Sequence, residues 1–194
     1  MEYNKYTMQQ KRRLANGIIM DKSKLSRLFQ IRNRKKLIIC TALFVEWLII
    51  MLTLSSQNGT QTVKASSGLS ALITRLIYGG SATYDNFCLV HAFIRKAAHV
   101  FLFAVLCELL AEIVDSFKNS RQWFCAVFSV CAVSLFAFAD EWHKLFISGR
   151  HFDMFDVMLN IIGAILGATV FLLIHYLLKN RKLFEKIKKE QNKN

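Results

Sequence analysis

Long apolar runs alternate with short polar connections along this chain, and four of the runs meet the length of a membrane-crossing helix. They are LIICTALFVEWLIIMLTL at 37–54, a run from about 93 to 114, WFCAVFSVCAVSLFAFA at 123–139, and VMLNIIGAILGATVFLLIHYLL at 157–178. A span of the hydrocarbon core takes about 17–25 predominantly apolar residues at 1.5 Å each, so each run predicts one transmembrane helix. No run contains proline, because the chain has none. Only DSFKNSRQ joins the second run to the third, which makes these two helices antiparallel neighbours.

The connection between the first two runs carries its own pattern. SSQNGTQT offers a turn at Asn58-Gly59 and hydroxyls suited to helix capping. Val63, Leu69, Leu72, Ile73, Leu76 and Ile77 then recur at helical spacing up to Gly79-Gly80. This predicts an amphipathic helix over 62–78 lying on the membrane interface. The fold class expected is therefore all-α integral membrane: a four-transmembrane-helix bundle with an outer interfacial amphipathic helix. Residues 11–31 alternate basic and apolar positions and are a weaker candidate for a helix on the inner surface.

Composition agrees, with 54% hydrophobic and 20% charged residues and a mean hydropathy of +0.30 over 194 residues, room for one domain. The net charge of +13 is concentrated outside the spans, in KRR at 11–13, Arg27, Arg32 and 34–36, and again from Lys179 to Lys193. Basic flanks on both sides of an even number of spans place both termini in the cytoplasm and anionic lipid beside them, rather than nucleic acid. The division expected is a basic N-terminal segment at 1–36, a four-helix membrane domain at 37–178 and a basic tail at 179–194. The first apolar run starts too late for a cleavable signal. The five cysteines form no CxxC pair, and all but Cys88 lie inside apolar runs, so neither a disulfide framework nor a zinc site is expected.

That topology gathers the polar groups. Ser55, Ser56 and Gln57 close the outer end of the first span, Arg95, Lys96 and His99 open the second, and Asp140, Glu141 and Lys144 close the third. Arg150, His151, Asp153, Asp156 and Asn160 lead into the fourth. Ionisable groups beside hydrocarbon are costly and are usually paired or face a wet cavity. The layer reads either as a salt-bridge network holding the helix ends or as a pocket for an anionic headgroup. Glu46, Glu108 and Glu112 are further intramembrane carboxylates, while Gly163 and Gly167 suit close helix packing. Nucleotide-binding, nucleophile-elbow and H-E-x-x-H motifs are missing, and no His or carboxylate pair has a convincing metal spacing, so no metal or cofactor is expected.

SSQNG after the first span, RKAAH at 95–99 and ADEWHKLFISGRHFDMFDVMLNIIGAILG, in that order, resemble the VanZ-like family of bacterial membrane proteins over about residues 37–178. The resemblance implies a small multi-span domain in the bacterial cell membrane, with a link to tolerance of teicoplanin-type glycopeptide antibiotics. Its motif positions here are Ser56, Gln57, Arg95, Lys96, His99, Asp140, Glu141, Gly149, Arg150, Asp156, Asn160 and Gly163. Lys144 stands where the family usually has Gln, and Ser148 where it often has Pro. The expectation is binding of a lipid headgroup or cell-wall precursor, with membrane lipids as partners and no nucleic acid; a homo-oligomer is left open. The alternative is an enzyme acting on a lipid-linked phosphate or acyl group, with His99 as candidate nucleophile or general base.

Overall fold

The computed structural model describes residues 30–57, 59–117 and 120–191. Five α-helices account for almost all of these: α1 Arg34–Ser55, α2 Gly59–Tyr78, α3 Tyr84–Asp115, α4 Gln122–Lys144 and α5 Met154–Gln191. The expected inner-surface helix at 11–31 falls almost wholly outside the described residues. Four helical stretches are long and apolar enough to cross a membrane: α1, α3, α4 and Met154–Glu185 of α5. The chain is thus an all-α membrane bundle.

Two helices are longer than their apolar runs. The sequence starts the second span near Phe93, but α3 begins at Tyr84, where Thr83 caps it by accepting from the Asn86 N–H at 3.3 Å. At 1.5 Å per residue the 32 residues of α3 reach about 48 Å, well beyond a hydrocarbon core of about 30 Å. Its first turns therefore continue past the apolar layer, and α2 packs on them. The face α2 turns inward is not its apolar stripe. Ser70 and Thr74 are buried, and the Ser70 hydroxyl lies 3.0 Å from His91 Nδ1 of α3. Leu72, Leu76 and Ile77 point away from the protein, as expected of a helix lying in an interface.

α3 is the hub, packing against α1, α2, α4 and α5. Its closest neighbour is α5, and the reason is steric. A Cβ placed at Gly163 would overlap the carbonyl oxygen of Val100, and one at Gly167 that of Ala104. The two glycines let backbone meet backbone within one chain, so they are not free to join a second copy. Around them Phe103, Leu106 and Cys107 of α3 close a buried core with Ala164, Ala168 and Phe171 of α5. α1 is the most peripheral span. Trp47 anchors it by donating to the Leu102 carbonyl at 3.0 Å, whereas Glu46 is exposed on its outer face rather than buried.

At the end that carries the approach to α1, a charged cluster locks the bundle. The Asp115 carboxylate, 2% exposed, accepts from Arg32 at 2.5 Å and Lys36 at 2.8 Å, with His175 Nε2 at 3.4 Å. Lys36 also pairs with Glu112. One donor atom each from Glu112, Asp115 and His175 lies within 4.8 Å of the others, a spacing a cation could use. The Lys36 ammonium already fills that role, bridging both carboxylates. Backbone joins in through Arg32 N–H to the Ser116 carbonyl at 2.8 Å.

Gly167→Leu should lower stability by at least about 1–3 kcal/mol, because side-chain carbon must displace backbone. Gly68→Ala in α2, with nothing within 4 Å of the added carbon, should be neutral or stabilising. Thermal unfolding of the two variants in the same nanodiscs gives the comparison.

Candidate functional site

The opposite end of the bundle collects most of the residues singled out by the sequence. Two cavities meet there. The first, about 380 Å³, is lined by charged groups: Arg95, Lys96, Lys144 and Arg150 against Glu141, Asp153 and Asp156, with His99 and His151. The second, about 310 Å³, runs between α1, α2 and α3 and is mostly apolar. Arg95, His99, Lys144 and Arg150 line both.

Each group is aimed by local structure. Arg95 and His99 lie one helical turn apart on α3, and they follow His91 by the same spacing, so all three share a face. His99 Nδ1 lies 3.1 Å from Asn160 Oδ1, and since an amide oxygen only accepts, Nδ1 carries the proton. The Nε2 edge then faces Asp156 at 3.7 Å, too long for a direct hydrogen bond and close enough for charge attraction. Asn160 is fully buried, so its contact fixes the ring from below. Asp153 accepts from the Phe155 N–H at 2.8 Å and starts α5. Gly149 adopts φ of 75°, a left-handed conformation other residues resist, and turns the chain so that Arg150 reaches back to the Ser55 carbonyl at 3.3 Å.

The charges are not evenly matched. Lys144, only 4% exposed, pairs with Glu141 and lies 3.7 Å from Asp140, so it neutralises two buried carboxylates at once. Asp156 is engaged by His99, and Lys96 sits 4.3 Å above the Phe155 ring. Arg95 makes no ion pair or hydrogen bond among the described residues. Burial, and then the like charge of Arg95, pull the Arg150 guanidinium below its ordinary range. Glu141, Asp140 and Asp156 act on Arg150 in the opposite sense, and the two guanidinium groups line the same cavities. Ser55 Oγ, Asn160 Nδ2 and Glu141 Oε2 are also buried without a hydrogen-bond partner.

Of the residues expected from sequence, Arg95, Lys96, His99, Glu141, Arg150 and Asp156 line the charged cavity, and Asp140 and Gln57 line the apolar one. Asn160 supports His99 from beneath. Ser56 lines neither, because it is exposed and its hydroxyl bonds back to the Leu52 carbonyl at 2.7 Å; the buried neighbour Ser55 takes the place. His143 is exposed and also lines neither cavity. Sequence reasoning overlooked the apolar cavity and the Ser70–His91 contact. The four-residue spacing of His91, Arg95 and His99 would have revealed the shared face, had α3 been started early enough.

A bundle of apolar helices with charged groups gathered at one end defines a multi-span membrane protein with a polar cavity at the helix ends. The family model described as VanZ/LLP1 matches residues 38–175, most of the chain, and the protein belongs to that VanZ-like family. No curated protein and no solved structure matches it.

Replacing Lys144 tests the charge balance. Lys144→Met strands two buried carboxylates and should cost about 3–5 kcal/mol. Lys144→Gln keeps donors within reach and should cost clearly less, as read by thermal unfolding of both variants.

Proposed function

We propose that the protein is a cell-envelope membrane protein that binds an anionic headgroup at this site, on the outward side of a bacterial membrane. The observation that carries the reading is the pair Arg95 and Arg150, which line one cavity together with Lys96 and His99. Bidentate donors of this kind suit phosphate or carboxylate oxygens, and in a site partly shielded from water such hydrogen bonds are strong. His99, oriented by Asn160, offers its Nε2 edge to the same ligand. Both termini then lie in the cytoplasm, in keeping with the basic flanks. Membrane lipids and lipid-linked cell-wall precursors carry suitable headgroups. Tolerance of teicoplanin-type glycopeptides is the physiological readout carried over from the family resemblance.

Arg95→Ala and Arg150→Ala, each confirmed to insert normally, should each weaken binding of ethyl phosphate to the purified protein by roughly 10-fold or more, the loss of a charge-assisted hydrogen bond of about 1.5–3 kcal/mol. The same variants should lose teicoplanin tolerance in cells that depend on this protein. Wild-type binding and tolerance in both variants would sink the reading.

A second reading, favoured by the His99–Asn160 contact with Asp156 nearby, is hydrolysis of a lipid-linked phosphate. A base held by an orienting partner is the arrangement general-base catalysis needs. Water would bond to phosphorus as the phosphorus–ester oxygen bond breaks, its proton passing to His99 Nε2 and from there to the leaving alkoxide. Phosphate release from a panel of lipid phosphates, abolished in His99→Ala, is the expected result; no release from any member by the wild-type protein would leave binding alone.

A further inference from the structure

The apolar cavity does not belong to the headgroup reading, yet it adjoins the headgroup site and shares four of its side chains. We propose that the ligand is a single amphiphile, with its anionic head between Arg95 and Arg150 and one hydrocarbon chain in the groove between α1, α2 and α3. This rests on the headgroup reading and adds the chemical class of the ligand.

Adjacency is the first argument. Arg95, His99, Lys144 and Arg150 line both cavities, so the polar and the apolar space adjoin at these four side chains. Direction is the second. Beyond Arg95 the groove is lined by Ala98, Leu102 and Phe103, which advance along α3 by about 12 Å at 1.5 Å per residue toward the middle of the span. Met51 and Leu54 of α1 face them, and Leu69 of α2 forms the rim. A head at the helix ends with a chain directed inward is the posture of a lipid in a bilayer, so such a ligand enters without turning over. The third argument is local chemistry. Ser55 lines the groove, is 8% exposed and leaves its hydroxyl without a hydrogen-bond partner, beside the Arg150 guanidinium that reaches its carbonyl. A buried hydroxyl at the junction of polar and apolar ends suits the ester or hydroxyl oxygens that join a headgroup to its chain. An empty apolar groove, by contrast, forfeits contact on its whole lining.

The groove also explains an otherwise odd feature of the fold. α2 turns Ser66, Ser70 and Thr74 toward the protein and keeps Leu69 at the edge of the opening. α1 and α2 each pack chiefly on α3, which leaves the gap between them as a side entrance from the lipid.

The test uses the full chain in phosphatidylcholine nanodiscs with two probes: dodecyl phosphate carrying a diazirine at the chain end, and ethyl phosphate. Photolabelling is expected to concentrate on Met51, Leu54, Leu102 and Phe103, to be competed by unlabelled dodecyl phosphate, and to resist dodecanol. Ala98→Trp, which fills the groove, should lower the ratio of dodecyl to ethyl phosphate affinity by at least 10-fold. Leu69→Trp should lower the same ratio from the α2 side, covering the case in which the first variant fails to fold. Ethyl phosphate binding with labels spread evenly over lipid-facing residues such as Leu135, Leu166 and Leu172 would overturn the chain site while leaving the headgroup site standing. Absence of ethyl phosphate binding, with dodecyl phosphate labelling no greater than that of a diazirine-bearing dodecanol, would overturn both. Free phosphate as the true ligand would show as equal affinity for the two probes, which also overturns the amphiphile.

Discussion

The backbone contact between α3 and α5 is the constraint from which the site follows. Gly163 meets the carbonyl of Val100, and Gly167 that of Ala104. In a bilayer, apolar side chains gain little by leaving lipid for one another, so close packing of small residues supplies much of the attraction between helices. This packing also sets the register. Val100 follows His99 directly, and Asn160 precedes Gly163 by three residues, just under one turn. Once the glycines seat, His99 and Asn160 must lie opposite each other, and their 3.1 Å contact is a consequence of the fold as much as a functional device. A larger residue at either glycine would push apart the two helices that carry His99 and Asn160.

The two ends of the bundle solve the problem of charge near hydrocarbon differently. At one end Asp115 and Glu112 are each met by cations, with Lys36 shared between them and Arg32 and His175 close by. That cluster is complete within the chain, and its partners come from α1, α3, α5 and the segment before α1. It holds the helices together and asks for nothing further. At the other end Lys144 pairs with Glu141 near Asp140, His99 lies near Asp156, and Arg95 and Arg150 line the cavity these groups share.

Much of this was legible in the sequence, for reasons that can be named. The four spans stand out because length and hydropathy measure the same thing that a bilayer selects. Convergence of Arg95, His99, Arg150 and Asp156 follows once alternate spans are reversed, since topology alone brings those ends to one depth. The start of α3 was not legible. Residues 84–92 mix Tyr84, Asp85, Asn86 and His91 with apolar neighbours, and a hydropathy window finds the apolar middle of a helix rather than its capped beginning at Thr83. Nor can periodicity say which way a stripe faces. It identified the apolar face of α2, which points outward as an interfacial helix requires, but not that Ser70 and Thr74 would be the face packed on the protein. Glu46 and the choice between Ser55 and Ser56 fail for the same reason, because each depends on the rotation of α1 against α3, which Trp47 and Leu102 decide.

Lys144 shows how a single departure from the family pattern can alter the electrostatics of a shared site. With Gln at this position, Asp140 and Glu141 would remain the acidic counterweight nearest the two arginines. They would then have to be neutralised by protons, by the arginines themselves or by a cation. Lys144 instead closes both carboxylates from within α4, one turn away on the same helix face. A full positive charge thus stands where a neutral amide would, and the cavity becomes more strongly cationic. A chain with Lys here should therefore hold an anion more tightly than one with Gln, even though the residue never needs to touch the ligand. The substitution that looks least conservative in sequence is, on this argument, the one that commits the site to anions.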